Sequence, residues 1–329
     1  MVLLDPSYDS YAPIVKAAGG EVVALPLVPP PKEDATAGKA KGSKWSLPPR
    51  KDLEKAIGAR HTKLVVVNSP HNPTGKVFTP SELELIADIV REKHADGRCL
   101  LLLDEVYQHL VFPSGRKKSS TEDDETGAGE EQEQEQPKHI SLASLPGMAQ
   151  RCVRVGSAGK TFSLTGFKIG WATSSNTALT SALFRAHQFL TFCLSPALQA
   201  GVAAGFNESS PYFLGLGADL AAKRSRLEEW VEQAGFRPLP AEGTYFLVAD
   251  AAALMLSNAE TDAEFCVRLA KDGGVAAIPL SAFYVDKSRA PRTLVRFCFC
   301  KKEEVLDEGG RRLVEFWEKQ KQKQQKEKK

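Results

Sequence analysis

The chain predicts an α/β fold, with a mostly parallel, doubly wound sheet followed by a smaller α+β part. Three observations carry this. Short, nearly continuous apolar runs recur at residues 2–4, 22–25, 64–67, 100–103 and 153–155, which is how parallel strands buried on both faces read. A well-signalled helix sits between two of them, making a strand–helix–strand unit. From about residue 211 the pattern changes: a helix over 219–234, a turn at Gly235, a strand over 244–248, a helix over 263–272 and a strand over 293–299.

The helix after the 64–67 run has a complete start signal. Thr79 caps it, Pro80 fits its first position and Glu82 completes a capping box. Leu85, Ile86, Ile89 and Val90 then form one apolar stripe. Residues 113–137 are rich in Glu, Asp, Gln, Ser and Gly without apolar periodicity, so they read as a disordered surface insertion. The Lys/Gln-rich stretch 319–329 reads as a solvated helix end. This divides the chain into a large domain over 1–210, interrupted at 113–138, a small domain over 211–318, and a tail over 319–329.

Composition bounds the function. The 329 residues are 42% hydrophobic and 26% charged, and 43 Lys+Arg against 41 Asp+Glu leave a net charge of +2. That balance argues against a nucleic-acid partner or a membrane surface. No run approaches the ~18 apolar residues of a membrane span. Met1-Val2-Leu3-Leu4-Asp5-Pro6 lacks the basic start and apolar length of a signal peptide, and reads as a strand that begins abruptly. The six scattered cysteines read as free, mostly buried thiols in a reducing compartment, pointing to the cytoplasm, with a mitochondrial address left open. Cys298 and Cys300, two apart in a strand-like run, share a face. No further ligands cluster around them, so no metal site is expected.

Four signals carry chemistry. Ser157-Ala158-Gly159-Lys160 follows the run 153–155, with Thr165-Gly166-Phe167-Lys168 close behind. Ligands in α/β sheets bind at the carboxyl ends of strands. A lysine partly desolvated there loses some of its preference for the charged form and can form an imine with an aldehyde. Ser157 and Lys168 suit a phosphate. Asn68-Ser69-Pro70-His71-Asn72-Pro73-Thr74-Gly75 follows the run 64–67 and by itself predicts only a rigid turn. Asp104-Glu105-Val106-Tyr107 follows the run 100–103, where a carboxylate suits a pyridinium N–H or a helix cap, and a tyrosine suits a phenolate. Arg296 interrupts the apolar strand 293–299. A buried arginine needs a partner, either a substrate carboxylate or a structural ion pair.

Together, in order and spacing, these signals resemble the class I, fold-type I aminotransferases that depend on pyridoxal phosphate. Asp5-Pro6-Ser7-Tyr8-Asp9-Ser10-Tyr11, residues 157–171, Ala276–Tyr284 and residues 295–301 look most like the kynurenine aminotransferase/cysteine-S-conjugate β-lyase group and the bacterial methionine aminotransferases. The resemblance implies a role for each residue. Lys160 holds pyridoxal phosphate as a Schiff base and moves the proton. Asn72 and Tyr107 bond its phenolic oxygen, Asp104 its ring nitrogen, and Ser157 and Lys168 its phosphate. Tyr8 stacks on the ring, Arg296 binds the substrate α-carboxylate, and Phe192 reaches a second subunit of a homodimer. The substrates implied are an amino acid of aromatic, kynurenine, methionine or glutamine type and a 2-oxo acid, with β-elimination of cysteine conjugates as a side reaction.

The sequence also departs from that family. The resemblance begins at an early internal strand, so the family's N-terminal arm, edge strand and Gly-containing phosphate loop have no counterpart. This implies a shortened member or an incomplete gene model, and leaves a truncated, non-catalytic homologue as the alternative. Cys193 stands where kynurenine enzymes can carry a histidine, which weakens a narrow choice of substrate. Other chemistries of the same fold, such as decarboxylation, fit the Arg296 and Ser281-Ala282-Phe283-Tyr284 matches less well.

Overall fold

The computed structural model describes residues 1–31, 44–113, 139–207, 210–257 and 259–327. From residue 114 on, the insertion expected over 113–138 lies outside the described residues.

The apolar runs become strands of one six-stranded sheet: β1 (Val2–Asp5), β2 (Val23–Pro26), β3 (Leu64–Asn68), β4 (Leu100–Asp104), β5 (Cys152–Ser157) and β6 (Gly170–Thr173). Their order is β2-β1-β3-β4-β5-β6. The first five run parallel and β6 pairs antiparallel to β5. Burial on both faces holds for β1 and β3 but not for β2. That strand pairs on one side only, and Val23 is 40% exposed. An apolar run signals a strand; it does not say whether the strand sits at an edge.

Helices α1 (Tyr11–Ala17), α2 (Arg50–Ile57) and α3 (Pro80–Lys93) belong to the crossovers. The α3 capping box forms as read: Thr79 Oγ1 accepts from the Glu82 amide at 3.2 Å, and the Glu82 carboxylate accepts from the Thr79 amide at 2.9 Å. The buried seam of α3 is Leu83, Ile86, Ala87, Ile89 and Val90. Leu85 flanks that seam and is only half-buried, because the contact stripe lies nearer Leu83 and Ala87. The short α4 (Ala158–Thr161) follows β5 directly, and α5 (Thr177–Leu190) and α6 (Pro196–Gly205) follow β6.

Helix α7 (Pro211–Gln233) starts eight residues before the predicted 219. Gly215 and Gly217 weaken the helical signal there, yet Ser210-Pro211 opens the helix as a Pro start should. Gly217 is needed for packing, since a Cβ on it would lie 2.4 Å from the Val111 carbonyl oxygen. A second, antiparallel sheet follows, with order β7-β8-β10-β9, built from β7 (Arg237–Pro238), β8 (Phe246–Asp250), β9 (Ile278–Pro279) and β10 (Leu294–Cys298). β8 begins two residues after the predicted 244, because Thr244 holds a left-handed backbone with φ of 70°. α8 (Asp262–Arg268) runs on into a π-turn over Leu269–Gly273. α9 (Glu303–Glu327) closes the fold against α7. It takes in most of the stretch read as a solvated tail: Gln320 is buried and Lys321 Nζ lies 4.7 Å from the Trp317 ring centre.

The core beneath β1, β3 and β4 joins Val2, Leu4, Val65, Val67, Leu101 and Leu103 to the α3 seam, and continues into Val248, Leu280 and Phe283. The backbone is stitched across as well. The Ser7 amide donates to the Phe283 carbonyl at 2.7 Å, and the Val285 amide donates to Asp5 Oδ2 at 2.8 Å. These links set β10 beside the carboxyl ends of β1, β3 and β4. None of the described helices is long and apolar enough to cross a membrane.

Candidate active site

Register fixes the first part of the site. Asn68 and Asp104 are paired last residues of β3 and β4, and Asp104 faces Val155 of β5. Three polar chain ends, with Ser157 closing β5, therefore meet at one edge of the sheet, where the strands stop and the loops turn away. Tyr8, Asn72, Asp104, Tyr107, Ser157, Lys160 and Arg296 all line one cleft of about 430 Å³, with Asp9, Asn68, Val106, Phe246, Ile278, Ala282 and Phe283. Seven of the eight residues read as binding cofactor or substrate are thus brought together. Lys168 is not among them. It stands exposed on a left-handed backbone turn, φ 57°, outside that lining.

Asp104 is buried at the floor of the cleft. Its Oδ2 accepts from the Tyr11 hydroxyl and its Oδ1 from the Val106 amide at 3.3 Å. Burial pushes its carboxyl above the usual range, while these two donors and the Lys160 charge pull it back. Asn68 ties the floor together: its Nδ2 donates to the Asp104 carbonyl and its Oδ1 accepts from the Asn72 amide, both at 2.8 Å.

Lys160 is half-buried, with Nζ 5.8 Å from the ring centres of both Tyr107 and Tyr245. Burial, with the neighbouring Tyr245 ring, raises the Tyr107 phenol well above its usual range, so it remains a proton donor. Tyr8 sits at the mouth, 42% exposed, its ring edge-on to Tyr11 at 5.5 Å between centres.

Arg296 enters from β10. Its guanidinium lies 3.9 Å from the Phe246 ring centre and 4.5 Å from that of Phe283, and Nη1 donates to Asn72 Oδ1 at 2.7 Å. Burial lowers its affinity for its proton. Among the described residues no carboxylate comes within ion-pair distance of it, so the structural ion pair left open by the sequence is not what is found. Two aromatic faces hold the cation in place in the wall of the cleft.

Sequence reasoning passed over Tyr11, Asn68, Phe246 and Phe283. Asn68 carried a signal, as the polar residue ending an apolar strand. Tyr11 closed the quoted stretch Asp5–Tyr11, three residues past Tyr8, but was given no role. A larger opening of about 830 Å³ beside β5, β6 and α7 is lined by Glu105 and Arg154, already paired at 2.6 Å. It offers no primary amine.

The donor set of the smaller cleft fits pyridoxal phosphate at its ring end. It offers an amine for an aldehyde, a buried carboxylate for a protonated ring nitrogen, and an amide with a protonated phenol for a phenolic oxygen. At the phosphate end, Ser157 is the hydroxyl in the lining.

Comparison with known proteins agrees with this chemistry. Residues 1–313 match the family of class I and class II aminotransferases. The chain is 35% identical over 335 residues to mouse kynurenine–oxoglutarate transaminase 3, covering 98% of this chain and 66% of that one. It superposes on N-succinyldiaminopimelate aminotransferase of Mycobacterium tuberculosis with a TM-score of 0.77 at 35% identity, covering 96% of this chain and 71% of that one. It superposes on an Escherichia coli protein with a methionine aminotransferase function with a TM-score of 0.74 at 30% identity, over 95% and 71% of the two chains. The chain therefore spans about two thirds of the length of these relatives. With its site residues gathered at the strand ends and its match running through β10, the chain belongs to the class I and II aminotransferase family, whose members work with pyridoxal phosphate.

Proposed function

We propose that this cleft moves the amino group of an amino acid to a 2-oxo acid. The observation that carries this is Arg296: a half-buried cation clamped by two rings, with an amide as its side-chain partner, opening onto the same cleft as the Lys160 amine and the Asp104 carboxylate. When bound, pyridoxal phosphate supplies an aldehyde that condenses with amines and a protonated ring that withdraws electrons from the substrate α-carbon.

The residues divide the rest of the work. Lys160 Nζ is the amine that would hold the cofactor's aldehyde, and it would carry the proton at the substrate α-carbon. Asp104 keeps the ring nitrogen protonated. Asn72 gives its Oδ1 to Arg296, which leaves its NH₂ to donate to the phenolic oxygen together with Tyr107. Ser157 and Lys168 serve the phosphate, and Tyr8 covers the ring. Arg296 takes the α-carboxylate in a two-pronged grip.

The substrate reading follows the surroundings. Phe246, Phe283 and Ile278 give the cleft an apolar wall, which supports aromatic, kynurenine-type or methionine donors over small polar ones, with glutamine also in range. Elimination from cysteine conjugates is a side reaction open to the same residues. A homodimer is supported by α5 and by Phe192 just beyond it. No α5 residue is buried, and Phe184, Phe189, Leu190 and Phe192 are 69–85% exposed, a surface that a second copy would cover. The division at residue 210 is supported by the change from one sheet to the other.

The test is direct. Purified protein incubated with pyridoxal phosphate gains a visible absorbance band that Lys160→Ala lacks, and a donor screen against 2-oxo acids reports turnover. Wild-type protein without the band sinks the reading.

A further inference from the structure

The end of β10 places two thiols together beyond the cleft just described. Cys298 is the last residue of β10 and lies on the same side of the strand as Arg296. Straight extension would keep Cys300 on that side but a full strand repeat away. Instead the chain bends. The Phe299 amide donates to the Tyr245 carbonyl at 3.0 Å, and the Lys301 amide turns back onto the Phe299 carbonyl at 2.7 Å. This three-residue turn brings the two Sγ atoms to 3.3 Å.

Both thiols are reachable. Cys300 is exposed, and Cys298 lines a cleft of about 430 Å³ with Arg296, Lys301 and Arg312. The hydrogen bond from Cys300, with Lys301 and Arg296 helping, holds the Cys298 thiol below its usual range against burial, which makes Cys298 the attacking sulfur of the pair. The thiols of Cys99, Cys152 and Cys266 are buried and pushed up by that burial to about 11, 12 and 12, which leaves them inert.

We propose that Cys298 and Cys300 form a redox site that peroxide or a low-molecular-weight disulfide closes into a reversible Cys298–Cys300 disulfide, and that closure displaces Arg296. The second half rests on the reading of Arg296 as the carboxylate-binding residue. With peroxide, the Cys298 thiolate attacks one oxygen. The O–O bond breaks, Cys298 becomes a sulfenic acid, and hydroxide leaves. Cys300 gives its proton to that hydroxide, making water, and its sulfur attacks the sulfenic sulfur. The S–O bond breaks and the second oxygen leaves as hydroxide, which a solvent proton turns to water. Two electrons pass from the sulfur pair to the peroxide. Closing the gap between the sulfurs moves the end of β10, and Arg296 is two residues upstream on that face.

The experiment treats the full chain with hydrogen peroxide or oxidised glutathione, alkylates it and digests it with trypsin. Cleavage after Arg296 and Lys301 puts both cysteines on the single peptide Phe297–Lys301. The expected result is that peptide unalkylated and lighter by two hydrogens, restored by dithiothreitol. Cys300→Ser should lose this product. In the wild type the KM for the amino donor should rise severalfold on oxidation, with the visible absorbance unchanged. A doubly alkylated peptide after oxidant, or disulfides to Cys193 instead, overturns the redox site. Disulfide formation with an unmoved KM overturns the coupling to Arg296. If Arg296→Met also leaves KM unmoved, the reading of Arg296 fails while the redox site stands.

Discussion

The Tyr11 hydroxyl donates a hydrogen bond to Oδ2 of Asp104, across 93 residues of sequence. Tyr11 opens α1, just beyond the end of β1, and Asp104 ends β4 two strands away in the sheet. The bond fixes which way the carboxylate faces. With the Val106 amide on Oδ1, both oxygens of Asp104 are oriented before any cofactor arrives. Burial works against the ionised carboxylate, and Tyr11 is the largest influence opposing it.

Replacing Tyr11 with Phe keeps the ring that packs edge-on against Tyr8 and deletes only the donor. A hydrogen bond to a charged group contributes ~1.5–3 kcal/mol, so cofactor affinity should fall about 10- to 150-fold. Titrating Tyr11→Phe with pyridoxal phosphate and following visible absorbance reads this directly. Affinity equal to wild type would mean that Asp104 holds its orientation without Tyr11.

Arg296→Lys keeps the charge and loses the planar fork between Phe246 and Phe283. A lysine presents a point charge where two parallel bonds to a carboxylate are wanted. KM for the amino donor should rise about 10- to 100-fold, while the cofactor absorbance stays. Steady-state kinetics paired with a spectrum separates the two. An unchanged KM would show that the α-carboxylate binds elsewhere.

Much of this site was legible in sequence because each element is local. Asn72, Asp104 and Lys160 all follow apolar runs closely, and the end of a parallel strand is where such residues meet a ligand. What could not be read depends on partners far along the chain. The clamp on Arg296 joins β10 to Phe246 on β8 and to Phe283 before it, and nothing in the run 293–299 names either ring. Tyr11 reaches Asp104 only because β1 lies beside β3 in the sheet. Lys168 marks where spacing alone stops: its distance from Lys160 suggested the phosphate, and a left-handed turn leaves it exposed beside, not within, the cleft lining. Strand ends were misjudged where one residue departs from extended backbone, as at Thr244.

His71 gives a pH test. It is buried beside Asn72, its Nδ1 2.8 Å from Thr74 Oγ1. Burial first, then the Lys76 charge, pushes its pKa down to about 3. The folded chain therefore holds His71 neutral while the unfolded chain protonates it below about 6.5. Its contribution is complete above that value and is lost as pH falls toward about 3, at up to ~1.4 kcal/mol per pH unit. From pH 6.5 to 5 the loss should be about 2 kcal/mol. Urea unfolding of wild type and His71→Asn at the two pH values checks this. The variant should be less stable at neutral pH but flatter with acid, and equal slopes would place the acid sensitivity in other groups.

Gly75 tests how tightly the loop of Asn72 is held. Its φ is 72°, a region costly for any residue with a Cβ. Its carbonyl accepts the amides of Glu242 at 2.8 Å and Gly243 at 3.0 Å, locking the 68–75 loop to the segment that leads into β8. A Cβ there would stand 2.6 Å from the Ala241 Cβ and 3.2 Å from the Gly243 carbonyl oxygen. Gly75→Ala therefore carries a backbone cost of ~1–2 kcal/mol and a crowding cost of ~1–3 kcal/mol. The two are separable, because Ala241→Gly removes the nearest crowding atom and leaves φ untouched. Urea unfolding should show the single variant less stable by the sum of both costs, and the double variant regaining only part of the crowding share, since the Gly243 oxygen stays close. A Gly75→Ala chain as stable as wild type would mean that the loop yields, and Asn72 would then lack the rigid seat from which it meets Arg296.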